Sequence, residues 1–169
     1  QGARRAGAVD PGALEPAFRA RYLQLLAQAL DGQARPDHGP GGKDGKPQIL
    51  PGVAEVLEAV ARQSGWKAGL VTGNYPPSAM LKLKAAGIDA ALFGFGGFAG
   101  DAPDRAGLVR TALERAAALE GRAPDPETTL VIGDTPRDVA CAHANGLRCI
   151  CVATGHFRTQ QLRDAGADH

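Results

Sequence analysis

The sequence predicts an α/β fold, a parallel sheet flanked by helices, on three observations. From residue 51 onward, short apolar runs alternate with longer amphipathic stretches four times. Gly65, Gly87, Gly121 and Gly146 each close an amphipathic stretch. Polar residues follow directly on two of the apolar runs, at Thr72-Gly73-Asn74 and Gly133-Asp134-Thr135, where strands hand over to helices. With 169 residues, 44% of them hydrophobic, the chain can bury about 68–70% of its unfolded surface. Such a core needs no disulfide or metal staple.

The elements follow in order. Phe18, Tyr22, Leu25, Leu26 and Ala29 recur at helical spacing, which predicts a helix over 13–30, stopped by Asp31-Gly32. Residues 31–48 are dense in Gly, Pro and charge and read as a linker. The chain therefore divides into an appendage, 1–48, and a main domain, 49–169. There Pro51 is expected at the first position of a helix carrying Val53, Val56, Leu57, Val60 and Ala61. Residues 67–72 read as a buried strand, 76–86 as a helix and 90–95 as a second strand. Asp104 can cap a helix bearing Leu108, Val109, Ala112, Leu113 and Ala116. Thr129 to Ile132 is the clearest strand, followed by a helix over 136–145, a strand over 148–153 and a terminal helix over 159–165.

Composition removes several functions. With 19 basic and 18 acidic residues, the chain offers no field for a nucleic-acid backbone. No apolar run approaches the roughly 20 residues that span a bilayer, and no apolar stretch after Arg4-Arg5 makes a secretory signal. Neither nucleic acid nor membrane is expected as a partner. Cys141, Cys149 and Cys151 lack metal or disulfide spacing and read as small buried hydrophobes in a reducing cytoplasm, with Cys149 and Cys151 on one strand face. The absence of an initiator Met leaves room for an upstream segment.

Ligands of open parallel sheets bind beyond the carboxyl ends of the strands. Thr72-Gly73-Asn74 places a hydroxyl, a flexible backbone and an amide before a helix N-terminus, which suits a phosphate; an ordinary polar turn has the same composition. Asp134 ends the clearest strand and Asp138 lies one turn into the next helix. Two carboxylates so spaced suit Mg²⁺, which keeps waters and takes one or two carboxylates; both also suit helix capping. Gly133 is expected to let a ligand approach the backbone. His38, His143, His156 and His169 show no nucleophile partner, Lys43 and Lys46 read as solvated charges, and Trp66 is expected to pack. Gly94 through Asp101 reads as a flexible loop at the edge of the site.

These residues carry a family resemblance. The strand ending Leu70-Val71-Thr72-Gly73-Asn74 resembles the second motif of haloacid-dehalogenase-superfamily (HAD) hydrolases. Val131 through Asp138, with Ala144-Asn145-Gly146 closing the helix, resembles their fourth motif. Ile49 through Leu57 is similar to the helix returning from the cap in the phosphoglycolate-phosphatase-like branch. The resemblance covers about residues 49–168. It implies a Rossmann-like core with the remnant of a helical cap at the N-terminus. It also implies a cytoplasmic, Mg²⁺-dependent phosphatase that hydrolyses small phosphorylated metabolites through an aspartyl-phosphate. Thr72 and the Gly73/Asn74 backbone would hold phosphate, and Asp134 and Asp138 would serve Mg²⁺. The family's Lys-Pro is replaced by Ala102-Pro103-Asp104-Arg105; Lys82 is the first candidate for the missing cation and Arg105 the second.

One departure is larger. The family's nucleophile run, Asp-x-Asp-Gly-[Thr/Val], occurs nowhere in the 169 residues. Asp10-Pro11-Gly12 echoes it without the second aspartate and reads as a helix start. The expectation is a nucleophile strand upstream of Gln1, lying between strands 67–72 and 129–132, whose absence would leave two unpaired edges. The alternative is a non-catalytic phosphate- or partner-binding module. Oligomeric state and substrate identity are not legible.

Overall fold

The computed structural model describes residues 11–31 and 49–169, with side chains from residue 15 in the first stretch. The chain divides into two units, Gln1–Gln48 and Ile49–His169. Asp10, Arg4-Arg5, His38, Lys43, Lys46 and the linker over 32–48 lie outside the described residues. In the first unit, α1 runs over Pro11–Leu30. Phe18 and Tyr22, four residues apart on one face, stack with ring centroids 6.5 Å apart.

In the second unit the elements are α2 (Val53–Arg62), β1 (Ala68–Val71), α3 (Pro76–Ala85), β2 (Phe93–Gly97) and α4 (Arg105–Glu120). They are followed by β3 (Leu130–Gly133), α5 (Pro136–His143), β4 (Arg148–Cys151) and α6 (Thr159–Asp164). Three expectations shift. Pro51 does not open α2, because Gly52 takes a left-handed φ of 87° and puts Pro51 in the preceding turn. The strand expected at 90–95 starts at Phe93, because Asp89 caps a 3₁₀ turn over Ala90–Leu92 by accepting from the Ala91 N–H at 2.9 Å. Residues 94–97 are therefore strand rather than flexible loop.

β1 pairs in parallel with β2, and β3 with β4, in two separate two-stranded sheets; among the described residues β1 and β3 share no ladder. A two-stranded ribbon is marginal alone. Here helices supply the burial: α4 packs on β1 and β2, α5 on β3 and β4, and the two helices pack on each other. One core results, built from Val109, Val139, Cys141, Ala142, Leu147 and Cys149, with Val71 and Val131 packed against it from the two sheets.

The close seating of α4 explains Gly97 at the end of β2. A Cβ on Gly97 would stand 2.0 Å from the Leu108 carbonyl oxygen, so helix backbone rests directly on strand backbone. The turn after β2 is clamped by Arg115. Its guanidinium donates to the Gly96 carbonyl at 2.7 Å and to both Asp101 carboxylate oxygens at 2.6 and 2.9 Å. Asp101 also accepts from the Phe98 N–H at 2.8 Å. Hydrogen bonding from Arg115 and then from Phe98 holds the Asp101 carboxyl below its ordinary value.

The cysteines are free, and Cys141 and Cys149 are buried. Cys149 and Cys151 share a strand face with sulfurs 3.7 Å apart, and burial, helped by the Cys151 thiol, pushes the Cys149 thiol up to about 12. His143, expected to lack a nucleophile partner, lies 3.1 Å from the Asp168 carboxylate, which accepts from the Cys149 N–H at 2.8 Å and so ties the residues after α6 to β4. Trp66 does not pack as expected; it is 56% exposed, and Ile132 on β3 is 59% exposed. No helix among the described residues is long and apolar enough to cross a membrane.

Two outcomes follow. Gly97→Ala forces α4 off β2 and lowers unfolding stability by about 1–3 kcal/mol in urea titration; an unchanged midpoint would refute the backbone contact. Because the folded-state Asp101 value is depressed, its stabilisation is present above the ordinary carboxylate range and lost as pH falls through the lower folded value. The fall in melting temperature on acidification should therefore be shallower in Asp101→Asn, by the equivalent of at most about 1 kcal/mol for a half-exposed pair.

Candidate functional site

The candidate site is built at the carboxyl ends of β1 and β3. Beyond β1 the chain is pinned to β2 and its turn: the Thr72 N–H donates to the Gly97 carbonyl at 2.9 Å, and the Ala99 N–H to the Asn74 carbonyl at 3.0 Å. Between these anchors, the Thr72 hydroxyl oxygen accepts from the Asn74 side-chain amide at 2.8 Å and from the Asn74 N–H at 3.2 Å. That backbone N–H, expected to face a phosphate, is thus turned inward onto Thr72. Lys82 comes from the inner side of α3. It is half-buried, whereas Lys84 two residues on is exposed. Its Nζ donates to Asn74 Oδ1 at 2.7 Å. A side chain that sequence alone could read as a solvated lysine therefore belongs to the β1 end.

At the end of β3, Thr135 caps α5, which opens on Pro136. The Thr135 hydroxyl accepts from the Asp138 N–H, while Asp138 Oδ2 accepts from the Thr135 N–H at 3.1 Å and the Thr135 hydroxyl at 2.7 Å. The same oxygen accepts from the Asp134 N–H at 3.2 Å. Oδ1 takes the Arg105 guanidinium, with Nε at 3.1 Å and a second nitrogen at 2.9 Å. Asp138 is 5% exposed, and this set of donors compensates a buried carboxylate.

Two expectations change accordingly. Gly133 does not open the backbone to a ligand: a Cβ there would stand 2.3 Å from the Asp138 Cβ, so the missing side chain makes room for Asp138 itself. The carboxylate pair is also divided, since both Asp138 oxygens are engaged by protein donors. Asp134 differs. Its carboxylate has no hydrogen-bond or ion-pair partner among the described residues, and it lies against Gly155, where a Cβ would stand 2.5 Å from Oδ2. No group of three His, Cys, Asp or Glu residues among the described residues converges as a metal cage. A lone accessible carboxylate on a strand end still fits Mg²⁺, which retains several waters and needs few protein ligands.

Arg105 and Asn145 are contributors that sequence reasoning missed in these roles. Asn145 donates through its side-chain amide to the Ala106 carbonyl at 3.0 Å and the Cys141 carbonyl at 2.8 Å. With the Arg105–Asp138 pair, it locks the start of α4 to α5. Asn145 stood visible in the helix-closing Asn-Gly, but nothing in the sequence spacing announces a partner 39 residues away.

Residues 105–169 match the family model described as HAD-hydrolase-like. That stretch, from the start of α4 to the end of the sequence, is similar to HAD-like hydrolases. The HAD-like fold recurs in a hydrolase from Pseudomonas syringae at a TM-score of 0.57 and 27% identity, covering 70% of this chain and 52% of that one. The chain thus spans about half the length of that hydrolase. A Thermotoga maritima protein, provisionally named a beta-phosphoglucomutase, matches at a TM-score of 0.61 and 18% identity, over 92% of this chain and 86% of its own. No curated protein matches.

The contrast between the two aspartates is testable by denaturation. Asp138→Ala strands three donors and Arg105 and should cost about 2–4 kcal/mol, whereas Asp134→Ala should stay within about 0.5 kcal/mol. Equal losses would show that Asp134 is structural too.

Proposed function

We propose that the chain supplies the phosphate-holding and cation-holding part of a Mg²⁺-dependent phosphomonoester hydrolase acting on small phosphorylated metabolites. The observation carrying this reading is the Lys82–Asn74–Thr72 network: a half-buried ammonium and a hydroxyl brought together at one strand end. Thr72 and Lys82 would hold the phosphoryl oxygens, and Lys82 would offset charge building on them during transfer. Asp134 would hold Mg²⁺, with Asp138 keeping the 134–135 turn in place; when bound, the ion supplies positive charge beside the phosphoryl group and the nucleophile. The nucleophile is an aspartate from outside these residues. Its carboxylate oxygen bonds to phosphorus as the alcohol leaves, and water then releases phosphate and restores the carboxylate.

The missing Asp-x-Asp run favours a second reading, a phosphate- or partner-binding module without turnover. Hydrolysis of p-nitrophenyl phosphate separates the two. A protein carrying this chain together with its upstream segment should hydrolyse the ester with Mg²⁺, lose at least about 100-fold in kcat in Asp134→Asn, and stop in EDTA. The 169 residues alone should be inactive. Activity that persists in EDTA would contradict the Mg²⁺-dependent mechanism, and no activity in any form would favour the binding module.

A further inference from the structure

The β1 end has a polarity that its residue types alone do not reveal. A hydroxyl carries one donor and two acceptor lone pairs. On Thr72 both acceptor positions are taken, by the Asn74 side-chain amide at 2.8 Å and the Asn74 N–H at 3.2 Å. What remains is the O–H proton, a donor. The amide cannot be turned round, because Lys82 sits on its other end at 2.7 Å and an ammonium accepts no hydrogen bond. The cation therefore fixes the amide, and the amide fixes the hydroxyl. Lys82 has used one of its three N–H groups on Asn74, so the rest also point away as donors.

We propose that Asn74 is a positioning residue that makes Thr72 a pure donor, so that the β1 end selects a fully deprotonated tetrahedral oxyanion over one that still carries a proton. This rests on the reading of the β1 end as a phosphate site, and it deepens that reading by naming the ionisation state taken. An acceptor-only ligand satisfies every outward group. A P–OH would instead bring a donor against Thr72 or Lys82 and leave one of them unpaired, which costs more than a missing attraction.

The test uses the 169-residue chain and two probes at about pH 5, where a phosphate group retains a proton and sulfate does not. Binding is followed by amide chemical shifts in the wild type, Asn74→Ala, Thr72→Val and the double variant. The expected result is sulfate binding about 10-fold tighter than phosphate in the wild type, with that preference collapsing in Asn74→Ala because the freed Thr72 oxygen can accept from P–OH. The double variant should bind sulfate no more weakly than Thr72→Val alone, since Asn74 acts through Thr72. If Asn74→Ala is not folded by its spectrum, Asn74→Ser serves in its place. A retained sulfate preference, or losses at positions 72 and 74 that simply add, would overturn the positioning role while leaving the anion site standing. Failure of the wild type to bind either anion would overturn the site and this inference together.

Discussion

A single buried carboxylate holds this fold in register. Asp138 takes hydrogen bonds from the end of β3 and from the cap of α5, and an ion pair from the first residue of α4. The main chain of the 134–135 turn, the start of α5 and the start of α4 thus meet on two oxygen atoms. Among the described residues the strand pairs do not hydrogen-bond to each other, so α4 and α5 carry the connection, with Val71 and Val131 reaching the same core from either side. Removing the carboxylate would free the start of α4 from the turn between β3 and α5.

That arrangement assigns different work to two aspartates of the same type only four residues apart. Asp138 is saturated with donors and serves geometry. Asp134, on the same turn, has its backbone N–H bound and its carboxylate left without a partner among the described residues, which leaves it available for chemistry. The β1 end repeats the pattern: the hydroxyl, amide and ammonium fix one another, and what they leave outward is donor character. At both ends protein hydrogen bonds fix these side chains, and groups fixed in this way lower the cost of binding.

Much of this was legible in the sequence, and the limits have physical causes. The order of strands and helices follows from period and punctuation, and Asp104, Gly121 and Gly146 mark their boundaries as local rules require. The start of β2 was hidden because Ala90 and Leu92 are apolar in strand and 3₁₀ turn alike, and only the Asp89 cap decides between them. Glycines misled twice for one reason: those at 97 and 133 suggest freedom or ligand access, but each is small to admit another part of the protein, Leu108 in one case and Asp138 in the other. Lys82 and Arg105 were both visible as candidate cations. Which strand end each one serves is a matter of long-range packing, which no local pattern encodes.

In the proposed function, Thr72, Asn74 and Lys82 form an oxyanion receptor. Anomalous diffraction from crystals of this chain soaked in tungstate, a heavy tetrahedral oxyanion, tests it most directly. The expected result is a peak with oxygens within hydrogen-bonding distance of the Thr72 hydroxyl and the Lys82 ammonium, with the Asn74 amide still bridging the two. Tungstate bound elsewhere with the β1 end vacant, or bound there with Thr72 turned away, would contradict it.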